Sequence, residues 1–300
     1  MKRTALTDQI VYIEPASMSA FRACSGLIVS TPGKKILIDA NMGLDETADL
    51  LKQERPDMAI VSHYHLDHGT WGSRVLEHSQ AELLIPKGEE KYLSSLPYFV
   101  ERTAGARGLD EKWEAFSVNE TAYREVTDFS TYDHGESFGA EVKMRAVKTS
   151  GHSPSHMSFY FPDEKTLFTG DMGIDPFGPW YGWEDCDLKD LMESIFRLKE
   201  MDVKILLTSH GGIRASKIQE SWDWALGQIM ERERMIDDML ERGAGRDDIV
   251  EKGIFFKNKS NVKEPMRSFL YMWDDIMLGH HLDLLNDGGI SYFFPGIKEK

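Results

Sequence analysis

The residues from His63 to His68, in the segment SHYHLDHGT, place four metal-ligand side chains within six positions: His63, His65, Asp67 and His68. Neutral imidazole and carboxylate are the common ligands of zinc, iron and manganese, and neither solubility nor packing calls for such density. In an extended chain alternate residues point the same way, so His63 and His65 can grip one ion from one side. Asp67 and His68 follow a break in that pattern, where Gly69-Thr70 leads toward a helix, and can face a second ion. Three more candidates lie downstream: His152 in GHSPSH, Asp171 after TLFTG, and His210 after the apolar run 204–207. Each sits where an apolar strand ends and a small-residue turn begins, the place where open sheets gather binding groups.

The order H-x-H-x-D-H, G-H-S-P-x-H, Asp after T-G, and His before Gly resembles the metallo-β-lactamase-fold hydrolases, over residues 10–212. Ser155 stands where many members have Gly, which changes a turn residue and no ligand. The resemblance implies an α/β fold, a four-layer αββα sandwich, here with a C-terminal α-helical appendage. It also implies that His63, His65 and His152 hold one ion, that Asp67, His68 and His210 hold the other, and that Asp171 bridges them. Two divalent ions are the expected cofactor: zinc first, with iron and manganese also suited to nitrogen and oxygen ligands without cysteine.

Such a site favours Lewis-acid hydrolysis. Water shared by two ions loses its proton near neutral pH and attacks a carbonyl polarised by the same ions. Asp67 is the candidate catalytic residue, orienting that nucleophile and shuttling its proton. The expected activity is cleavage of an ester, thioester or lactone of a small apolar or aromatic acid. The alternative is a di-iron redox protein reducing oxygen or nitric oxide, as flavodiiron proteins do on this scaffold. Those proteins show H-x-E-x-D-H, so His65 favours the hydrolase, and this chain has no flavin-binding domain.

Composition narrows the choice of partner. A net charge of −15 over 300 residues, without a Lys/Arg-rich stripe, disfavours a polyanionic substrate, and there is no room for the large inserted domain of the RNA-processing members. Nucleic acid is therefore not expected, and a small molecule is. No apolar run reaches membrane-span length. The N-terminus, broken by Asp8 and Gln9, does not read as a signal peptide. With only Cys24 and Cys186, a reduced cytoplasmic protein is the default.

The positioning elements follow from periodicity. Runs 10–13, 27–29 and 35–39 read as a meander with a Pro32-Gly33 turn, 45–54 as a helix stopped by Pro56, and 58–61 as the buried strand before the histidines. Asp39-Ala40-Asn41 is either a turn packed beneath the metals or a simple strand end. The insertion at 87–130, rich in aromatic residues, is either a lid over the site or a subdomain packed on itself. The loop after Asp171 carries Phe177, Trp180, Tyr181 and Trp183, candidates for substrate contact, although such a loop can equally serve a clamp or a homodimer interface.

Residues 188–199 read as a helix, and residues 213–300 form a C-terminal helical region beyond a core of 1–212. That layout is similar to hydroxyacylglutathione hydrolases, yet TSHGGI lacks their H-E-Y and the loop after Asp171 lacks their C-G-R. Acyl-homoserine lactonases place Tyr where Ile174 stands. His280 and His281 read as capping or surface residues near a helix end, the other reading being that one of them reaches the pocket.

Overall fold

The computed structural model describes residues 1–18, 21–139 and 141–295. Its first sheet runs in chain order through β1 (Lys2–Ala5), β2 (Ile10–Glu14), β3 (Gly26–Thr31), β4 (Lys34–Ile38), β5 (Met58–Ile60), β6 (Glu82–Pro86) and β7 (Ser130–Tyr132). The second contains β8 (Ser137–Phe138), β9 (Met144–Lys148), β10 (Met157–Phe161), β11 (Thr166–Phe168), β12 (Ile205–Leu207) and β13 (Ile213–Arg214), with β13 and β8 at its edges. The meander β1 to β4 is antiparallel, with Gly33 in the left-handed region at the β3–β4 turn, and β4 to β7 run parallel.

Alternation along the strands builds the layers. Ile36 and Ile38 of β4 join Phe159, Phe161 and Phe168 of the second sheet in the core between the sheets, whereas Leu37 points to the opposite face, under the helices. The helices there are α1 (Leu44–Glu54), α2 (Leu66–Gly69) and α3 (Trp71–His78). The second sheet's outer face, with Val147, Leu167 and Leu206, packs in the same cluster as α7 (Leu188–Lys199), whose Leu188, Leu191, Ile195 and Leu198 form the buried stripe its spacing predicted. Helices outside, two sheets inside: this is the αββα sandwich.

The insertion forms α4 (Glu90–Ser94), α5 (Leu96–Thr103) and α6 (Asp110–Glu120). It does not pack only on itself. Trp113 meets Trp183 and Trp273, and Arg107 pairs with both Glu184 and Asp275. The C-terminal helices are α8 (Ile218–Glu241), α9 (Arg246–Lys252), α10 (Met266–Asn286) and α11 (Ile290–Phe293). Trp222, Ile229, Phe269 and Trp273 from this region belong to the same buried cluster as α7 and the aromatic loop. No helix of the described residues is long and apolar enough to cross a membrane.

Candidate metal centre

The seven candidate ligands meet at one end of the sandwich. Beyond β5 the chain leaves the ladder, and His63 and His65 lie in a bend. The extended pleat expected to aim them is therefore absent: Ile60 is the last ladder residue, and the turn into α2 does the aiming. Asp67 and His68 are on α2, His152 follows β9, Asp171 follows β11, and His210 follows β12. One group comprises His63, His65 and His152; the other comprises Asp67, His68, Asp171 and His210, with ligand atoms in each within 4.8 Å of one another. Asp171 Oδ2 lies 3.7 Å from His152 Nε2 and 3.4 Å from His210 Nε2, between the two groups.

Outer hydrogen bonds fix how these rings face. Asp39, whose backbone is left-handed, puts Oδ2 2.9 Å from His68 Nδ1 and accepts the Ser62 amide on Oδ1 at 2.7 Å. The Trp180 carbonyl lies 2.8 Å from His152 Nδ1. A carbonyl or carboxylate oxygen only accepts, so both imidazoles carry a proton on Nδ1 and leave Nε2 as the atom that faces the centre. His63 Nε2 and His152 Nε2 are 3.2 Å apart, His65 Nε2 is buried without a hydrogen-bond partner, and His68 Nε2 faces Asp171 Oδ1 at 3.3 Å. Buried ring nitrogens and carboxylate oxygens that converge in this way form a donor set that a cation would satisfy. The donor set fits metal ions.

The electrostatics agree. Burial holds the His63 and His65 imidazoles well below their ordinary value. Burial also opposes charge on His68 and His210, but Cys24, Asp171, Asp39 and Asp67 around the first, and Asp171 with Asp67 around the second, raise both well above it. The carboxylate half of the centre thus attracts positive charge, supplied by protons or by metal.

A family model described as the metallo-beta-lactamase superfamily matches residues 21–210. The chain belongs to this superfamily. Within the superfamily it is 28% identical, over 68% of this chain and 78% of the relative, to a metallo-beta-lactamase fold-containing protein of Sulfurisphaera tokodaii. It is 22% identical, over 90% of this chain and 78% of the relative, to an atrochrysone carboxyl ACP thioesterase of Aspergillus fumigatus. A metallo-beta-lactamase family protein from Thermus thermophilus shares the fold with a TM-score of 0.70 at 18% identity, covering 95% of each chain.

Several supporting residues are not legible in the sequence. Glu89, fully buried, accepts the Tyr64 amide (2.7 Å), the Ser153 hydroxyl (2.5 Å) and the Ser155 amide (2.8 Å), so one carboxylate ties the His63–His65 bend to the His152 loop. His156 is no ligand: its Nδ1 meets Thr149 Oγ1 at 2.7 Å and its Nε2 accepts the Asp171 amide at 3.1 Å. Asn41 donates to the Asp67 carbonyl at 2.7 Å, so the Asp39-Ala40-Asn41 turn does lie beneath the centre. His134 belongs to neither ligand group and accepts the Lys148 amide.

The aromatic loop divides. The Trp180 ring stands edge-on to His65 at 5.3 Å and to His152 at 5.8 Å. Phe177 stacks on Phe256, Tyr181 is fully buried with its hydroxyl 2.8 Å from His281 Nε2, and Trp183 packs against Trp113 and Trp273. The capping or surface role expected of the two C-terminal histidines is not what the structure shows. Helix α10 continues to Asn286, His281 is fully buried, and His280 Nε2 donates to the Trp183 carbonyl at 2.9 Å.

Proposed function

We propose that this protein is a dinuclear metal-dependent hydrolase that cleaves a thioester, ester or lactone of a small apolar or aromatic acid. One observation carries the reading: the facing groups of three imidazoles and of two imidazoles with two carboxylates, with the Trp180 ring against the first. His63, His65 and His152 would hold one ion, Asp67, His68 and His210 the other, and Asp171 would serve both. Ions bound there supply Lewis-acid polarisation and activate water at neutral pH, with zinc the first expectation.

The chain's own residues do the rest. Asp67 Oδ2, buried 3.0 Å from His210 Nε2, is the group placed to accept a proton at the centre and return it to the leaving group. Asp39 and the Trp180 carbonyl keep His68 and His152 in one tautomer. Trp180, half-buried, shields one side of the centre from water and offers an apolar face to an acyl group. The thioester is placed first because the relative named as an ACP thioesterase aligns along 90% of this chain. His65, lying within the three-imidazole group, supports hydrolysis over the di-iron redox alternative.

A panel of aryl and short acyl thioesters, esters and lactones tests this reading. Hydrolysis of at least one class should stop on chelation and return with zinc. Hydrolysis that survives chelation, or none by the metal-replete protein, would overturn it.

A further inference from the structure

Helix α8 carries one buried cation, Arg232, 7% exposed. The polar partners of its guanidinium are uncharged oxygens: the carbonyls of Phe177 (2.8 Å) and Pro179 (2.5 Å) and the hydroxyl of Tyr181 (3.4 Å). The rings of Phe177, Tyr181 and Phe255 close around it at 5.0, 5.7 and 5.4 Å. Burying a charge that has no ionic partner is costly. What Arg232 adds is a rigid fork of donors that fixes two carbonyls at once.

Those carbonyls flank a functional one. The next carbonyl along the loop, that of Trp180, accepts the Nδ1 proton of His152, and the Trp180 ring stands against His65. A loop pinned at 177 and 179 leaves the peptide at 180 little freedom, so the direction of the His152 ring is set from α8 through that loop. The site of control lies outside the sandwich that supplies the ligands.

We propose that Arg232 is a positioning residue for the three-histidine half of the centre, so that the metal affinity of that half depends on a C-terminal helix. The proposal rests on the metal reading given under Proposed function. Partners that orient a ligating histidine typically contribute 10–100-fold to metal affinity, and that is the loss expected here.

The test uses the full chain and zinc alone. Arg232→Met should weaken one of two zinc sites by roughly 10–100-fold in chelator competition and leave the other within about threefold. In the metal-free protein, hydrogen exchange should quicken in residues 176–183 but not along α8. In Arg232→Ala, added guanidinium ion should restore part of the lost affinity. Unchanged zinc affinities in a folded Arg232→Met protein would overturn the proposal, and so would equal weakening of both sites with faster exchange throughout α8, the mark of a general structural role. Should Arg232→Met not fold, Arg232→Lys, which keeps charge without the fork, undergoes the same two measurements, and wild-type values for it overturn the proposal. A wild-type chain that binds no zinc defeats the metal reading itself and is distinguished by the exchange comparison, which needs no metal.

Discussion

Replacing Glu89 with Ala should damage the metal centre without touching a ligand. The carboxylate is fully buried and receives two backbone amides and one hydroxyl, from Tyr64, Ser155 and Ser153. The Ser153 hydroxyl can turn elsewhere, but the amides cannot, and a buried donor without an acceptor costs about 1–3 kcal/mol. Two such donors put the loss at about 2–6 kcal/mol, with about 4 kcal/mol as the central figure, a large share of the ~5–15 kcal/mol that holds a typical domain. Burial, working against the three donors, pushes the Glu89 carboxyl up to about 7 from an ordinary 4.5. A folded value above the unfolded one means that its contribution is complete below about 4.5 and is lost as the pH rises through about 7. The Ala penalty should therefore be largest near pH 5 and should shrink by about 1.4 kcal/mol per unit through that window. Urea denaturation of the metal-free protein between pH 5 and 8 reads this directly. Chelator competition should show the three-histidine site weakened by roughly 10–100-fold, because Glu89 joins both loops that supply it. Wild-type stability at pH 5 together with unaltered zinc affinity would refute the reasoning.

Other consequences follow from the same geometry. Asp67→Ala should abolish turnover and deplete one metal equivalent, and normal activity in that variant would remove Asp67 from its role. Because carboxylates raise His68 and His210 well above the ordinary imidazole range, metal must displace protons there, so zinc affinity should climb with pH and binding should release protons in calorimetry; a pH-independent affinity would contradict this. Gly170 has a left-handed backbone, and a Cβ there would lie 2.5 Å from His156 Nε2, so Gly170→Ala should lower the melting temperature by the equivalent of about 1–3 kcal/mol and reduce metal content. Trp180→Ala should raise KM for aromatic thioesters more than for acetyl ones, and an equal effect on both would argue that the ring does not meet the acyl group.

The ligands can be read from the sequence because their signal is local. Four stand within six residues, and the others follow short apolar strands, so residue type and strand ends suffice. The supporting residues lack such a signal. Glu89 sits in KGEE and Arg232 in ERERM, charged runs that resemble solvated surface; only tertiary packing buries one member of each. His281 misleads for the same reason, since a His pair near the expected helix end looks exposed until α10 is seen to continue past it and press it against Tyr181. The bend at 62–65 reads as extended chain in the sequence because an apolar run does not mark where its last ladder hydrogen bond falls.

Titrating the metal-free chain with zinc while following thioester hydrolysis tests the central claim most directly. Activity should rise with added metal and level off at two equivalents per chain, with Asp171→Ala unable to reach that level. Full activity before any metal is added, or a chain that takes up none, would contradict the account.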